Sequence, residues 1–168
     1  EVIDVIASSK HICHGIHLPI QCGSDKILAS MNRKYTREKY LKLIDEIKTK
    51  ISDVELTTDI IVGFPGETEE DFEGTLDIMK KVEYMQIFGF IYSKRKGTVA
   101  EKMADHVDSK VKKERLSRLL EVKNEIVNRR TQEMLGKVYE VLVESYDEEK
   151  GILYGSLDSG KTISFKGS

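Results

Sequence analysis

Three short apolar segments, each separated from the next by a longer stretch of helical periodicity, limit most strongly how this chain can fold. Gly15 to Ile20, Leu56 to Val62 and Gln86 to Tyr92 read as strands. Their starts lie roughly 30–40 residues apart, enough for a right-handed crossover through a helix between parallel neighbours. Between the first two strands, Ser24 is the expected N-cap of a short helix, and a second helix starts at Thr36 with Tyr40, Leu43, Ile44 and Ile47 on its apolar face. Between the second and third, Thr68 and Asp71 form a capping-box pattern ahead of the stripe Phe72, Leu76, Met79 and Val82. The middle strand, β-branched and apolar apart from Thr57, Thr58 and Asp59, is read as having other layers on both of its faces. The expected class is therefore α/β with parallel strands.

Beyond Ser93-Lys94-Arg95-Lys96-Gly97 the pattern changes. A long helix is expected from about Asp108 to Leu135, with Leu116, Leu119, Leu120, Val122, Ile126 and Val127 on one broad face and Gly136 as its stop. Lys137 to Glu144 then alternates, and Gly151 to Leu157 and Thr162 to Lys166 follow as short strands between turn residues. This tail reads as the opening strands of a small antiparallel β module.

A length of 168 residues allows one domain with a small appendage. The 27 Lys+Arg against 29 Asp+Glu argue against a globally basic nucleic-acid binder, though not against a local patch. Two cysteines in the whole chain do not make the disulfide framework of a secreted mini-protein, so a cytoplasmic setting is expected. No apolar run approaches the ~18 residues of a membrane span. The start, Glu1-Val2-Ile3-Asp4, has no initiator Met and reads as mid-domain, which suggests a fragment.

Functional groups of β/α folds gather at the C-terminal ends of the strands. Along the first strand His17, Pro19 and Gln21 alternate with Leu18 and Ile20, and the strand runs out at Gln21-Cys22-Gly23-Ser24. Asp59, Ile61, Gly63 and Glu67 surround the end of the second strand, and Tyr92, Ser93 and Arg95 follow the third. One rim collecting these residues predicts a small-molecule pocket. Gly63-Phe64-Pro65-Gly66-Glu67 has the look of a phosphate cradle but lacks the Gly-Lys-Ser/Thr of a P-loop. Glu67, Glu69, Glu70 and Asp71 would also repel phosphate, so a neutral or cationic ligand, or a plain βα turn, fits better. His11, Cys13, His14 and His17 with Cys22 offer soft donors, but at no standard zinc spacing; surface histidines beside a buried Cys are the alternative, and no metal ligand is assigned. Lys94, Arg95, Lys96, Lys110, Lys112, Lys113, Arg115 and Arg118 form the most cationic stretch, either a solvated face or an RNA-facing patch.

Four segments carry a family resemblance: His17-Leu18-Pro19-Ile20-Gln21-Cys22-Gly23-Ser24-Asp25, Met31-Asn32-Arg33-Lys34-Tyr35-Thr36, Thr57 to Thr68, and Tyr92-Ser93-Lys94-Arg95-Lys96-Gly97-Thr98. In this order the chain resembles the second half of the radical-SAM methylthiotransferases. Within that group it is most similar to the MiaB type, which methylthiolates isopentenylated adenosine beside the anticodon of tRNA. The resemblance covers essentially the whole chain. It implies residues 1–107 as the C-terminal part of a radical-SAM (β/α) barrel, 108–136 as a connecting helix, and 137–168 as a partial TRAM domain, a β module that binds RNA.

The resemblance also implies S-adenosyl-L-methionine and two 4Fe-4S clusters in the parent enzyme, and the tRNA anticodon stem-loop as its partner. The CxxxCxxC motif that holds the SAM-cleaving cluster is absent from these residues, so no catalytic residue is assigned and the fragment alone is expected to be inactive. Carried over motif by motif, the expected cofactor-facing residues are Gln21, Ser24, Arg33, Asp59, Ile61, Gly63, Glu67 and Arg95. Arg33 and Arg95 could pair with the SAM carboxylate or with RNA phosphate. Cys22 stands where the family usually has Ser, and Val99 where Pro is usual. The rival readings are a sister methylthiotransferase acting on threonylcarbamoyl-adenosine in tRNA or on a ribosomal protein, and a non-catalytic RNA-binding module. The Tyr92-Ser93-Lys94-Arg95 form and the Gly160 to Gly167 tail favour the isopentenyl-adenosine type. A barrel slice has open edges and an uncovered apolar interior, so self-association is expected.

Overall fold

The computed structural model describes residues 1–167. Helix α1 (Val2–Ser8) precedes strand β1 (Gly15–His17), helices α2 (Asp25–Ser30) and α3 (Arg37–Lys50), strand β2 (Glu55–Val62), helix α4 (Glu69–Val82) and strand β3 (Gln86–Ile91). These strands form a parallel sheet in the order β1-β2-β3, with Ile16 opposite Leu56 and Asp59 opposite Phe88. A single 3-10 turn (Ala100–Lys102) leads to the long helix α5 (Ser109–Gln132), and a separate antiparallel sheet follows from β4 (Leu142–Asp147), β5 (Ile152–Ser156) and β6 (Thr162–Lys166). Among the described residues no helix is long and apolar enough to cross a membrane.

Local sequence accounts for the helix starts. The Thr36 side chain accepts from the Lys39 amide and caps α3. Thr68 and Asp71 cap α4 reciprocally, and Phe72, Leu76, Met79 and Val82 are all buried. Leu43 and Leu120 depart from expectation. Both are exposed, at 37% and 40%.

The helices cover one face of the parallel sheet, not two. Leu56, Thr58, Ile60 and Val62 of β2 are buried, and Leu56, Ile60 and Val62 pack in a core with α3, α4 and α5, whereas Thr57, Asp59 and Ile61 on the opposite face are half-buried. Phe88 and Phe90 of β3 join that second face and are 44% and 51% exposed. The expectation of two covered faces is corrected accordingly.

Boundaries shift where backbone chemistry intervenes. β1 ends at His17 rather than Ile20, since Pro19 has no amide to donate to the ladder. α5 ends at Gln132: Met134 and Leu135 donate to Thr131 and Gln132 in a tightened last turn, and Gly136 at φ +75 reverses the chain. The alternating residues 137–141 form no ladder. β4 begins only at Leu142, opposite Ser156 at the end of β5, with an irregularity between Val143 and Ser145.

Candidate functional site

At the C-terminal end of β1 the ladder gives way to side chains. Leu18 still donates to the Thr57 carbonyl at 2.9 Å, but the Thr58 hydroxyl then takes over, accepting from the Ile20 amide and donating to the Leu18 carbonyl, both at 2.9 Å. The Tyr40 hydroxyl donates to Leu18 O at 2.7 Å and that of Tyr35 lies 3.2 Å from both Pro19 O and Ile20 O. Burial pushes the Tyr40 hydroxyl up to about 12, so it remains a donor throughout the physiological range. These bonds stitch 18–20 in place and deliver Gln21 into a bridge with β2, its amide on Asp59 O and its carbonyl receiving the Ile61 amide. Gln21 there adopts φ +69, a left-handed conformation that costs a residue with a Cβ about 1 kcal/mol or more. The simple alternation expected along this strand ends at Pro19: Ile20, Gln21, Cys22 and Gly23 are all buried.

Gln21 lines a cleft of about 410 Å³ with Asp59, Ile61, Phe90, Tyr92, Ser93, Arg95, Thr98 and Ala100. Four residues marked from the sequence, Gln21, Asp59, Ile61 and Arg95, thus meet at the ends of three parallel strands. One wall is apolar, from Ile61, Phe90, Ile91 and Ala100. Asp59 lies 3.5 Å from His17 Nε2, and the other ring nitrogen of His17 is 2.8 Å from the Thr57 hydroxyl. Tyr92 packs its ring edge-on to Phe64 at 5.1 Å, with the Lys112 ammonium 5.2 Å from its centroid, and its hydroxyl is buried with no partner among the described residues.

Ser24, Arg33, Gly63 and Glu67 lie outside this cleft. The Ser24 hydroxyl donates to Asp71 Oδ1 at 2.5 Å, so it docks α2 on α4 instead of capping its own helix. Arg33 is exposed beyond α2. Gly63, at φ +73, gives its amide to Glu67 Oε2 at 2.7 Å, and the same oxygen accepts from Arg115 Nη1 at 2.7 Å. Burial pushes the Glu67 carboxyl up, while the Gly63 amide and the Arg115 guanidinium favour its charged form. Arg118 is likewise taken by Glu69 and Glu73. The cationic stretch on α5 is therefore in good part an internal clamp, because the acidic start of α4 faces it.

Sequence reasoning missed Thr58 and underrated Asp71, which it read as a cap and as one of four acidic residues at the start of α4. Asp71 accepts from Ser24, Lys26 and Thr68, and although burial opposes it, these donors hold its carboxyl well below the ordinary carboxylate range. A depressed folded value means stability that is fully present above the ordinary carboxylate pKa and lost progressively as pH falls from there through the lower folded value. Asp71→Asn is expected to cost about 2–3 kcal/mol at neutral pH. In urea melts it should also lose less stability than the parent as pH drops below about 4; an equal acid loss would show that Asp71 is not the titrating group.

Among the described residues, neither cysteine joins a cluster of metal-binding donors. Cys13 is exposed, whereas Cys22 is fully buried with its sulfur 3.5 Å from the Thr75 hydroxyl, and burial pushes its thiol up.

Comparisons with known proteins agree with this geometry. Residues 1–79 match the family model of the Radical SAM superfamily. The chain is 48% identical, over 99% of its length, to tRNA-2-methylthio-N(6)-dimethylallyladenosine synthase of Caldicellulosiruptor saccharolyticus, of which it covers 35%. It is 49% identical over its full length to the protein of that name from Carboxydothermus hydrogenoformans, covering 38%. It is 56% identical over 86% of its length to the one from Desulfitobacterium hafniense, covering 32%. The chain thus spans about a third of the length of the curated relatives it matches. With the Radical SAM match over residues 1–79 and near-half identity along almost its whole length, the chain is similar to about a third of the length of these tRNA-2-methylthio-N(6)-dimethylallyladenosine synthases.

Proposed function

We propose that this chain is the part of a tRNA methylthiotransferase that supplies one wall of its S-adenosyl-L-methionine site, and that the whole protein adds a methylthio group to isopentenylated adenosine beside the anticodon. The observation that carries the reading is the meeting of a strained Gln21 with Asp59, Ile61 and Arg95 in one cleft at the strand ends. A left-handed Gln where Gly would be relaxed is a cost that function can explain.

The residues fit the cofactor. A volume near 410 Å³ suits a nucleoside-sized ligand. Ile61 and Phe90 offer an apolar wall to a flat base, and the Gln21 side-chain amide offers hydrogen bonds to its polar edge or ribose. Arg95 is exposed and forms no ion pair among the described residues, leaving its guanidinium free for a carboxylate. Asp59 lines the same cleft and would suit a ligand with cationic character such as a sulfonium. Beside a 4Fe-4S cluster, this cofactor supplies the radical chemistry of sulfur insertion. Cys13 and Cys22 fit no such cluster, which on this reading is held by other parts of the protein. Ser24, Gly63 and Glu67 support the cleft from behind, and Arg33 is left for RNA.

Strands β4 to β6 are taken as the first part of a TRAM module that contacts the tRNA. The open face with Phe88 and Phe90 is the barrel interior, so this chain by itself should self-associate through it; sedimentation giving a monomer at high concentration would contradict that. Gln21→Gly should leave stability equal or higher by up to about 1 kcal/mol while weakening cofactor binding. The decisive assay uses the full-length protein, reconstituted anaerobically with iron and sulfide and given cofactor, reductant and isopentenylated tRNA. Mass spectrometry of the digested nucleosides should show the methylthio gain on that adenosine. A gain on threonylcarbamoyl-adenosine would move the substrate to the sister type.

A further inference from the structure

Away from the cleft, three segments distant in sequence bring metal-binding donors together. His14 precedes β1, Asp53 lies in the turn before β2, and Asp158 lies in the turn between β5 and β6. The His14 Nδ1 is 2.8 Å from Asp53 Oδ1 and 3.8 Å from Asp158 Oδ2, and all three donor atoms fall within 4.8 Å of one another. We infer that His14, Asp53 and Asp158 form a site for a divalent transition-metal cation of the Zn²⁺ class that fastens the antiparallel module to the parallel sheet.

Charge, geometry and anchoring each support this site. Two carboxylates share one imidazole, and neither pairs with a Lys or Arg among the described residues, so the site has a negative charge that a dication neutralises. Bonds of about 2.0–2.2 Å to one nitrogen and two oxygens need donors roughly 3–3.5 Å apart. The present separations from His14 Nδ1, 2.8 Å to Asp53 and 3.8 Å to Asp158, bracket that spacing, and both carboxylates are exposed. The backbone is already fixed: the His14 amide donates to Asp158 O at 3.2 Å and its carbonyl accepts from the Glu55 amide at 3.0 Å. The 157–160 turn also rests on Gly15, where an added Cβ would come 2.6 Å from Ser159 O. An imidazole donor selects a borderline metal over Ca²⁺ or Mg²⁺, which prefer oxygen alone. Three protein donors at an exposed position leave the remaining coordination to water. The site makes no contact with the cleft, so its role is to set the position of β4 to β6.

The test uses this chain stripped of metal by a chelator and titrated with Zn²⁺ by calorimetry, with Co²⁺ absorption as a coordination readout. His14→Asn and Asp158→Asn remove donors, and Cys13→Ser controls for the neighbouring thiol. One equivalent should bind to the parent chain and to the Cys13 variant, and at least about tenfold more weakly to the other two. Zn²⁺ should slow amide exchange in β4 to β6 of the parent chain and not of the Asp158 variant. Equal binding by the Asp158 variant, loss only in the Cys13 variant, or no uptake at roughly 100 µM Zn²⁺ would each overturn the inference.

Discussion

Arg115→Met is expected to destabilise the chain by about 3–5 kcal/mol, because it strands a buried carboxylate. The Arg115 and Glu67 side chains are 6% and 1% exposed, and one Glu67 oxygen serves both the guanidinium and the Gly63 amide. Arg115 also donates to the Glu67 carbonyl at 3.2 Å, so its loss frees the turn at both ends. Glu67→Gln made in addition should restore a good part of the loss, since a neutral amide can still accept from Gly63 and no longer needs a cation. Urea melts of the parent, both single variants and the double variant decide the matter. A loss below about 1 kcal/mol in Arg115→Met would mean that the pair is solvated in practice. The consequence reaches the cleft as well: Lys112, one turn earlier on α5, donates to the Tyr92 carbonyl, so the same helix holds the loops that follow β2 and β3.

Gly23→Ala and Gly74→Ala should differ sharply although the two glycines touch. A Cβ on Gly23 would lie 2.3 Å from the Gly74 carbonyl oxygen and 2.6 Å from the Thr75 Cα, all backbone of α4 that cannot step aside. The expected cost is about 3 kcal/mol. A Cβ on Gly74 would instead meet Gly23 O at 3.3 Å and Arg37 Nη1 at 3.5 Å, a tight but bearable contact. Removing a glycine from a helix interior returns about 0.5–1 kcal/mol, so that variant should stay within about 1 kcal/mol of the parent. Thermal melts of the pair test this asymmetry, and equal losses would contradict the backbone approach. Gly23 is two residues past Gln21, so Gly23→Ala should also disturb the cleft.

The parallel sheet and its helices were legible because their patterns are local: the capping box at Thr68, the stripe from Phe72 to Val82, and Gly136 past the long helix. What escaped depends on partners far away in sequence. That Ser24 serves Asp71 and that Arg115 and Arg118 are taken by glutamates follow from the packing of α2 and α5 on α4, and that Thr58 replaces the ladder broken by Pro19 follows from the seating of 18–20 beside β2. The expectation of two covered faces treats β2 as a nearly continuous apolar run, although Thr57 and Asp59 alternate with the buried set and mark the uncovered face. Of the eight residues marked for the cofactor, the structure brings Gln21, Asp59, Ile61 and Arg95 together in one cleft. The strand-end rule could not separate residues facing the cleft from Gly63 and Glu67, which shape the turn beneath it.

The most direct test of the cofactor wall is an amide chemical-shift titration of the labelled chain with S-adenosyl-L-methionine, run beside Gln21→Gly. The cleft predicts shifts confined to Gln21, Asp59 to Ile61 and Tyr92 to Thr98, weakened in the variant. Shifts elsewhere, or none at saturating cofactor while the chain remains folded, would contradict it.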